Sequence, residues 1–142
     1  MYKVQAESLA EYFAFDPARK DDLKAFDAAV RHNAPDLKRW FYAGVKAGEP
    51  GMQFKMIGYG VTEYRALAGT KWPIIGIALQ KNYISVYLAI AKPDSSLITE
   101  DYRGKLGESR MGQNNFSFET FGQLDQESVA ELLKAVARLA AP

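Results

Sequence analysis

Residues 72 to 88, WPIIGIALQKNYISVYL, constrain the fold more than any other stretch, because two apolar runs rich in β-branched and aromatic residues flank the polar pair Lys81-Asn82. That is the pattern of a β-hairpin. Asn tolerates the left-handed backbone of a tight two-residue turn, so Lys81-Asn82 is the expected connection, although a weaker turn signal than Asn-Gly. Ile75, Ile77 and Leu79 point one way and are joined across the pair by Ile84, Val86, Leu88 and Ile90, which makes theirs the core face. The opposite face carries Gly76, Ala78 and Gln80 beside Tyr83, Ser85 and Tyr87, a mixture neither dry nor plainly solvated. It is the expected surface for a ligand or a second chain.

Around the hairpin the period changes. Leu23, Phe26 and Val30 recur at the spacing of one helix face while Lys20, Asp21, Lys24 and Arg31 fill the others, with Asp16-Pro17 as the expected start and Asn33-Ala34-Pro35 as the stop. Leu9, Tyr12 and Phe13 suggest a short helix before it. Asp36 is the expected cap of a brief helix carrying Leu37, Trp40 and Phe41, which runs out at Gly44 and the Gly48-Glu49-Pro50-Gly51 turn. From Met52 the period is two, with Phe54 and Met56 on one side and Lys55, Ile57 and Tyr59 on the other. Gly58 and Gly60 interrupt this strand and signal a bulge or a close backbone approach, and a further strand is expected through Val61 to Leu67. Pro93-Asp94-Ser95-Ser96 precedes a short helix with Leu97, Ile98 and Tyr102. Asn115 to Phe121 alternates as a strand, and Asp125 caps a C-terminal helix with the stripe Val129, Leu132, Leu133 and Val136. The expectation is a single α+β domain over 1–142, a curved antiparallel sheet of about five strands with helices packed on one face.

Composition narrows the function classes. With 18 Lys and Arg against 17 Asp and Glu, a net charge of +1 supplies no global field for nucleic acid or an acidic membrane. The chain has no cysteine, which removes disulfides, thiolate metal sites and cysteine nucleophiles. MYKVQAESLAEYF lacks the basic start and apolar run of a signal peptide, and no segment approaches the roughly 18 uninterrupted apolar residues of a membrane span. The expected location is the cytosol.

GYGVTEYR (58–65), the hairpin, KLGESRMGQNNFSF (105–118) and the closing LDQESVAELLKA, taken in that order, resemble the YdhG-like family of small bacterial domains of unknown function. The resemblance covers nearly the whole chain and implies a cytosolic α+β domain with a curved antiparallel sheet. One branch of that family is described as frataxin-like iron chaperones, so the resemblance also implies iron as a candidate cargo. It marks Tyr59, Trp72, Lys81, Tyr87, Lys105 and Gly107 as pattern positions.

Three groups of residues are candidates for a site. Iron delivery would use hard carboxylate oxygens, for which Asp21 and Asp22 are the leading choice among Asp16, Asp21, Asp22, Asp27 and Asp36. Lys20, Lys24 and Arg31 are interleaved with them, however, as on a solvated and mutually paired helix face. His32, the lone histidine, reads best as a helix C-terminal residue favoured by the dipole. The second group is aromatic: Trp40, Tyr42, Tyr59, Tyr64, Trp72, Tyr83 and Tyr87 have apolar bodies and polar handles, and Arg65, Lys81 and Lys105 add positive charge for an anionic ligand. The competing reading is that these rings pack the core and the sheet edge. The third, GESRMGQNN (107–115), has glycines near Arg110 but not in the strand-to-helix spacing of a phosphate loop, and reads as a loop entering a strand. No catalytic signature is visible. The expected function is a non-catalytic binding module for a small ligand or protein partner, working through the open tyrosine-bearing face of the sheet. Self-association of that face as a homodimer is a further expectation, and a frataxin-like iron-binding chaperone is the alternative.

Overall fold

The computed structural model describes residues 2–63 and 70–142. Its helices are α1 (Leu9–Ala14), α2 (Lys20–Asn33) and α3 (Gln126–Ala140). The strands are β1 (Arg39–Tyr42), β2 (Met56–Tyr59), β3 (Thr62–Glu63), β4 (Lys71–Trp72), β5 (Ile75–Leu79), β6 (Ile84–Leu88), β7 (Arg110–Met111) and β8 (Asn115–Phe118). Short 3-10 turns lie at Ile98–Tyr102 and Phe121–Gln123. Six strands form one antiparallel sheet in the order β1-β2-β5-β6-β8-β7, and β3 pairs with β4 apart from it.

The expected hairpin is β5–β6, in register from Ile75↔Leu88 to Leu79↔Ile84. Gln80 N–H donates to the Tyr83 carbonyl at 2.9 Å across Lys81-Asn82. Neither central residue takes positive φ, so this connection does not use the left-handed conformation anticipated for Asn82. The sheet has one strand more than expected, and both unforeseen members lie at its ends. Arg39–Tyr42, expected as helix, is a strand because the β2 edge offers an antiparallel partner and the segment alternates with period two. Phe41 joins the helix-covered core, whereas Trp40 and Tyr42 pack on the opposite face. Arg110–Met111, expected as loop, pairs with Phe116–Ser117 as a two-residue edge. Of the strand expected from Val61 to Leu67, Thr62–Glu63 is seen, Val61 lies just before it outside the strand, and residues 64–67 lie outside the described residues.

Helix termini show where local chemistry was read correctly and where it acts differently. Asp16 does not cap α2; its carboxylate accepts from Ala18 N–H at 3.0 Å and Arg19 Nε at 2.8 Å, and the helix begins after that turn. The Arg19 guanidinium holds the Asp16 carboxyl below the usual carboxylate range. Asp125 stands at the N-cap of α3 as expected, but its carboxylate takes the Ser128 hydroxyl instead of a backbone N–H.

Helices α2 and α3 cover one face of the large sheet. Leu23, Phe26 and Val30 from α2 and Val129, Leu132, Leu133 and Val136 from α3 meet Ile57, Ile75, Ile77, Ile84, Val86 and Phe116 in one cluster, all at or below 1% exposure. Each such side chain contributes about 1.5–3 kcal/mol of burial free energy relative to exposure. Phe26 sits at its centre, stacked on Phe118 at 5.5 Å and tilted against Phe116 at 6.0 Å. Tyr12 ties α1 to the end of the sheet: its hydroxyl accepts from Leu79 N–H at 2.8 Å and donates to the Lys55 carbonyl at 3.0 Å. No described helix is long and apolar enough to cross a membrane.

Candidate functional site

The helix-free face of the sheet carries a second, smaller cluster. Register places Trp40, Gly58, Gly76, Tyr87 and Asn115 in one row across five strands, and Ala78, Ser85, Ser117 and Arg110 in the next. The two glycines leave room for neighbours that lie flat on the sheet. A Cβ on Gly58 would stand 3.0 Å from Pro73 Cβ and 3.2 Å from the Trp40 indole, and one on Gly76 would stand 2.7 Å from Met56 Sδ. The close backbone approach expected at Gly58 is therefore made by Trp40 and Pro73. Trp40 Nε1 donates to the Gly60 carbonyl at 2.8 Å, and the Tyr42 hydroxyl donates to the Met52 carbonyl at 3.2 Å. Burial pushes the Tyr42 phenol above its ordinary pKa. Tyr42 meets Trp40 edge-on at 5.9 Å and Trp72 at 6.3 Å.

This half of the face is thus packed by its own rings and not open. Beside it, Phe54 and Tyr87 are half-buried and lie 5.4 Å apart between ring centroids. Phe54 also lines an open cavity of about 470 Å³ between the N-terminal segment and residues 53–55. Its polar lining includes Lys3, Gln5 and Gln53. Lys55 borders it too, but its ammonium is engaged by the Ala6 carbonyl at 2.6 Å and Glu7 Oε1 at 3.0 Å. Tyr2, on the same wall, carries the Arg19 guanidinium 5.6 Å above its ring, and Arg19 Nη1 donates to the Tyr83 carbonyl at 2.9 Å. The hairpin tip is thereby tied to this side of the molecule. Rings with amides and the exposed Lys3 ammonium, which has no partner among the described residues, suit an aromatic or apolar body with a polar edge.

The residues anticipated from sequence do not converge on one surface. Tyr59 lies on the opposite, helix-covered face at 0% exposure, and its hydroxyl donates to Asp27 Oδ1 at 2.5 Å. It is a core residue, since the parity that pairs it with Ile57 turns it away from Tyr87. Trp72 is half-buried in β4 against Tyr42, and Tyr87 is half-buried on Phe54. Lys81 and Tyr83 are exposed at the hairpin tip. Lys105 is exposed in the turn after Ile98–Tyr102, its N–H donating to the Tyr102 carbonyl. Arg65 and Tyr64 lie outside the described residues.

The acidic candidates are dispersed as well. Asp21 is exposed, whereas Asp22 accepts the Phe121 N–H at 3.0 Å and so anchors the start of the Phe121–Gln123 turn to α2. Asp27 is buried at 6% exposure, its second oxygen accepting from Arg39 Nη1 at 2.8 Å, with Arg31 Nη1 at 3.8 Å. Among the described residues no group of three or more His, Asp or Glu side chains is placed to hold a metal ion.

Two features escaped the sequence reading. Phe54 carried its signal in the alternation with Met56, but its tilted contact with Tyr87 needed the fold. Asp27 also had a signal, since with Leu23, Phe26 and Val30 it falls on the apolar stripe of α2, where an acid must find buried partners. Comparison of the whole chain with protein-family models, curated proteins and solved structures finds no match in any of the three.

Proposed function

We propose that this chain is a YdhG-like domain acting in the cytosol as a non-catalytic binding module, which takes a small ligand on the helix-free side of its sheet. The supporting observation is that half-buried Phe54, with Tyr87 tilted against it at 5.4 Å, lines the 470 Å³ cavity together with Lys3, Gln5 and Gln53. A volume of that order falls in the range of small-molecule sites. The packed half of the face, with Trp40, Tyr42, Trp72 and Pro73, supports the rim and is not itself the pocket. The ligand class is a planar or apolar group bearing a polar or anionic edge, the ring system resting on Phe54 and the edge meeting Lys3 or the amides.

The thermal midpoint of the purified protein, read against aromatic and anionic metabolites and metal ions including anaerobic ferrous iron, tests this. A ligand at about 100 times its Kd stabilises the fold by roughly 2.7 kcal/mol, a shift of several degrees. Gln53→Ala, at an exposed position, should abolish the shift while leaving the unliganded midpoint unchanged, and Tyr87→Ala should abolish it too. Stabilisation by ferrous iron and by no organic ligand would replace this reading with iron binding. A shift that survives both variants would place the ligand elsewhere.

A further inference from the structure

The last turn of α2 and the segment leading into β1 enclose a second open groove, of about 700 Å³, which shares no lining residue with the first. Arg31, His32, Lys38 and Arg39 line it, together with the apolar Pro35 and Leu37, and no acidic side chain is among its lining residues. From this arrangement we infer an anion site, separate from the cavity at Phe54, that takes the dianionic phosphate group of a small phosphate ester.

Three observations carry the inference. The first is the fixed position of Arg39. Asp27, buried behind the groove, accepts from Arg39 Nη1 at 2.8 Å through one oxygen and from Tyr59 through the other. The Phe13 ring lies under the same guanidinium at 5.7 Å. One edge of the fork is thereby anchored, while Nε and Nη2 have no hydrogen-bond partner among the described residues, so Arg39 presents a preorganised donor pair. The second is the charge balance. Arg31, Lys38 and Arg39 supply three positive charges against the single carboxylate of Asp27, a surplus matched by a phosphate monoester, and guanidinium forks suit phosphate oxygens.

The third is that the helix end does not account for the cluster. A helix C-terminus favours Arg31 and His32, but Lys38 and Arg39 arrive from the other side of the groove. Two carbonyls near the helix end are also occupied: Ala29 accepts from Asn33 Nδ2 at 2.8 Å and Val30 from Ala34 N–H at 2.7 Å. Lys38 and His32 are exposed and make no side-chain hydrogen bond or ion pair among the described residues, which leaves their nitrogens free for a ligand. Pro35 and Leu37 offer an apolar wall to the organic part of the ester.

Phenyl phosphate is a suitable probe, with phenol as the uncharged control and inorganic phosphate to isolate the charged group. Calorimetric titration at fixed ionic strength should show saturable binding of phenyl phosphate, weaker binding of inorganic phosphate and none of phenol. Lys38→Ala touches no internal contact, so it should keep the unliganded midpoint and weaken phenyl phosphate roughly tenfold, as expected for a lost charged hydrogen bond. Arg31→Gln should weaken it further without unfolding the chain. Gln53→Ala, at the other cavity, should leave it unchanged, which separates this site from the one proposed above. Absence of saturable binding, or equal affinity in the Lys38→Ala and Arg31→Gln double variant, would overturn the inference.

Discussion

Replacing Tyr59 by Phe removes one hydroxyl from the middle of the protein and leaves its ring packing in place. Tyr59 is 0% and Asp27 6% exposed, so water cannot substitute for the 2.5 Å bond between them. Arg39 remains on Oδ2 at 2.8 Å, and Asp27 loses one of its two close donors. A hydrogen bond to a charged group contributes about 1.5–3 kcal/mol, and the working value for Tyr59→Phe is about 2 kcal/mol. Unfolding entropy of about 2.1 cal/mol/K per residue gives roughly 0.3 kcal/mol/K for a chain of this length, so the midpoint should fall by about 7 °C. Urea denaturation followed by circular dichroism reads the same quantity, with an unchanged slope showing that the folded state keeps its compactness. An Asp27→Asn background supplies the control. There the acceptor is neutral, and the cost of Tyr59→Phe should drop to about 1 kcal/mol or less. A loss below about 0.5 kcal/mol in the parent chain, or an undiminished loss in the Asp27→Asn background, would refute the view that Tyr59 serves to satisfy a buried carboxylate.

The same residues govern the alkaline limit. Burial, and for Tyr59 the neighbouring Asp27 carboxylate, raise the Tyr12 and Tyr59 phenols above their ordinary value of 10.0. The folded chain then holds protons that the unfolded chain releases. This contribution to stability is complete below about pH 10 and falls above it by about 1.4 kcal/mol per pH unit for each tyrosine. Urea midpoints measured through that range should fall less steeply in Tyr12→Phe than in the parent; parallel slopes would remove the tyrosines from the account. Gly104 and Gly107 both have positive φ, at 78° and 83°, but a Cβ on Gly104 meets nothing while one on Gly107 would lie 2.5 Å from the Gln123 carbonyl oxygen. Gly104→Ala should cost about 1–2 kcal/mol and Gly107→Ala clearly more, and equal losses would show that the bridge to Leu124 gives way freely. Asp22→Ala should cost about 1 kcal/mol through the Phe121 N–H, whereas Asp21→Ala should be nearly neutral in the same denaturation assay. Equal effects would mean that the contact with Phe121 contributes nothing.

Where periodicity and burial agree, the elements were legible. The stripe of Leu23, Phe26 and Val30, the C-terminal stripe from Val129 to Val136, and the β5–β6 alternation all form as their spacing dictates, because each buries one face against the others. Leu37, Trp40 and Phe41 show how the same argument fails: spacing over so few residues fits a helix turn as well as a strand, and the free edge of β2 decided between them. Arg110–Met111 is too short to carry a period at all. The candidate site was legible in its residue types and not in their grouping. Tyr59 and Tyr87 look alike in sequence, yet one satisfies a buried acid and the other packs against Phe54 with its ring tilted.

The sequence by itself determined the helical and strand periods, the turn positions and which residues had to leave water, since these follow from local sterics and from the alternation of apolar with polar side chains. Tertiary structure alone decided that Gly58 and Gly76 lie beneath Trp40, Pro73 and Met56, that Asp27 meets Tyr59 and Arg39, and that Lys38 faces Arg31 across a groove. Each of these joins residues from different elements. Their proximity depends on strand register and helix docking, and a one-residue slip in register would turn every side chain of the strand to the other face.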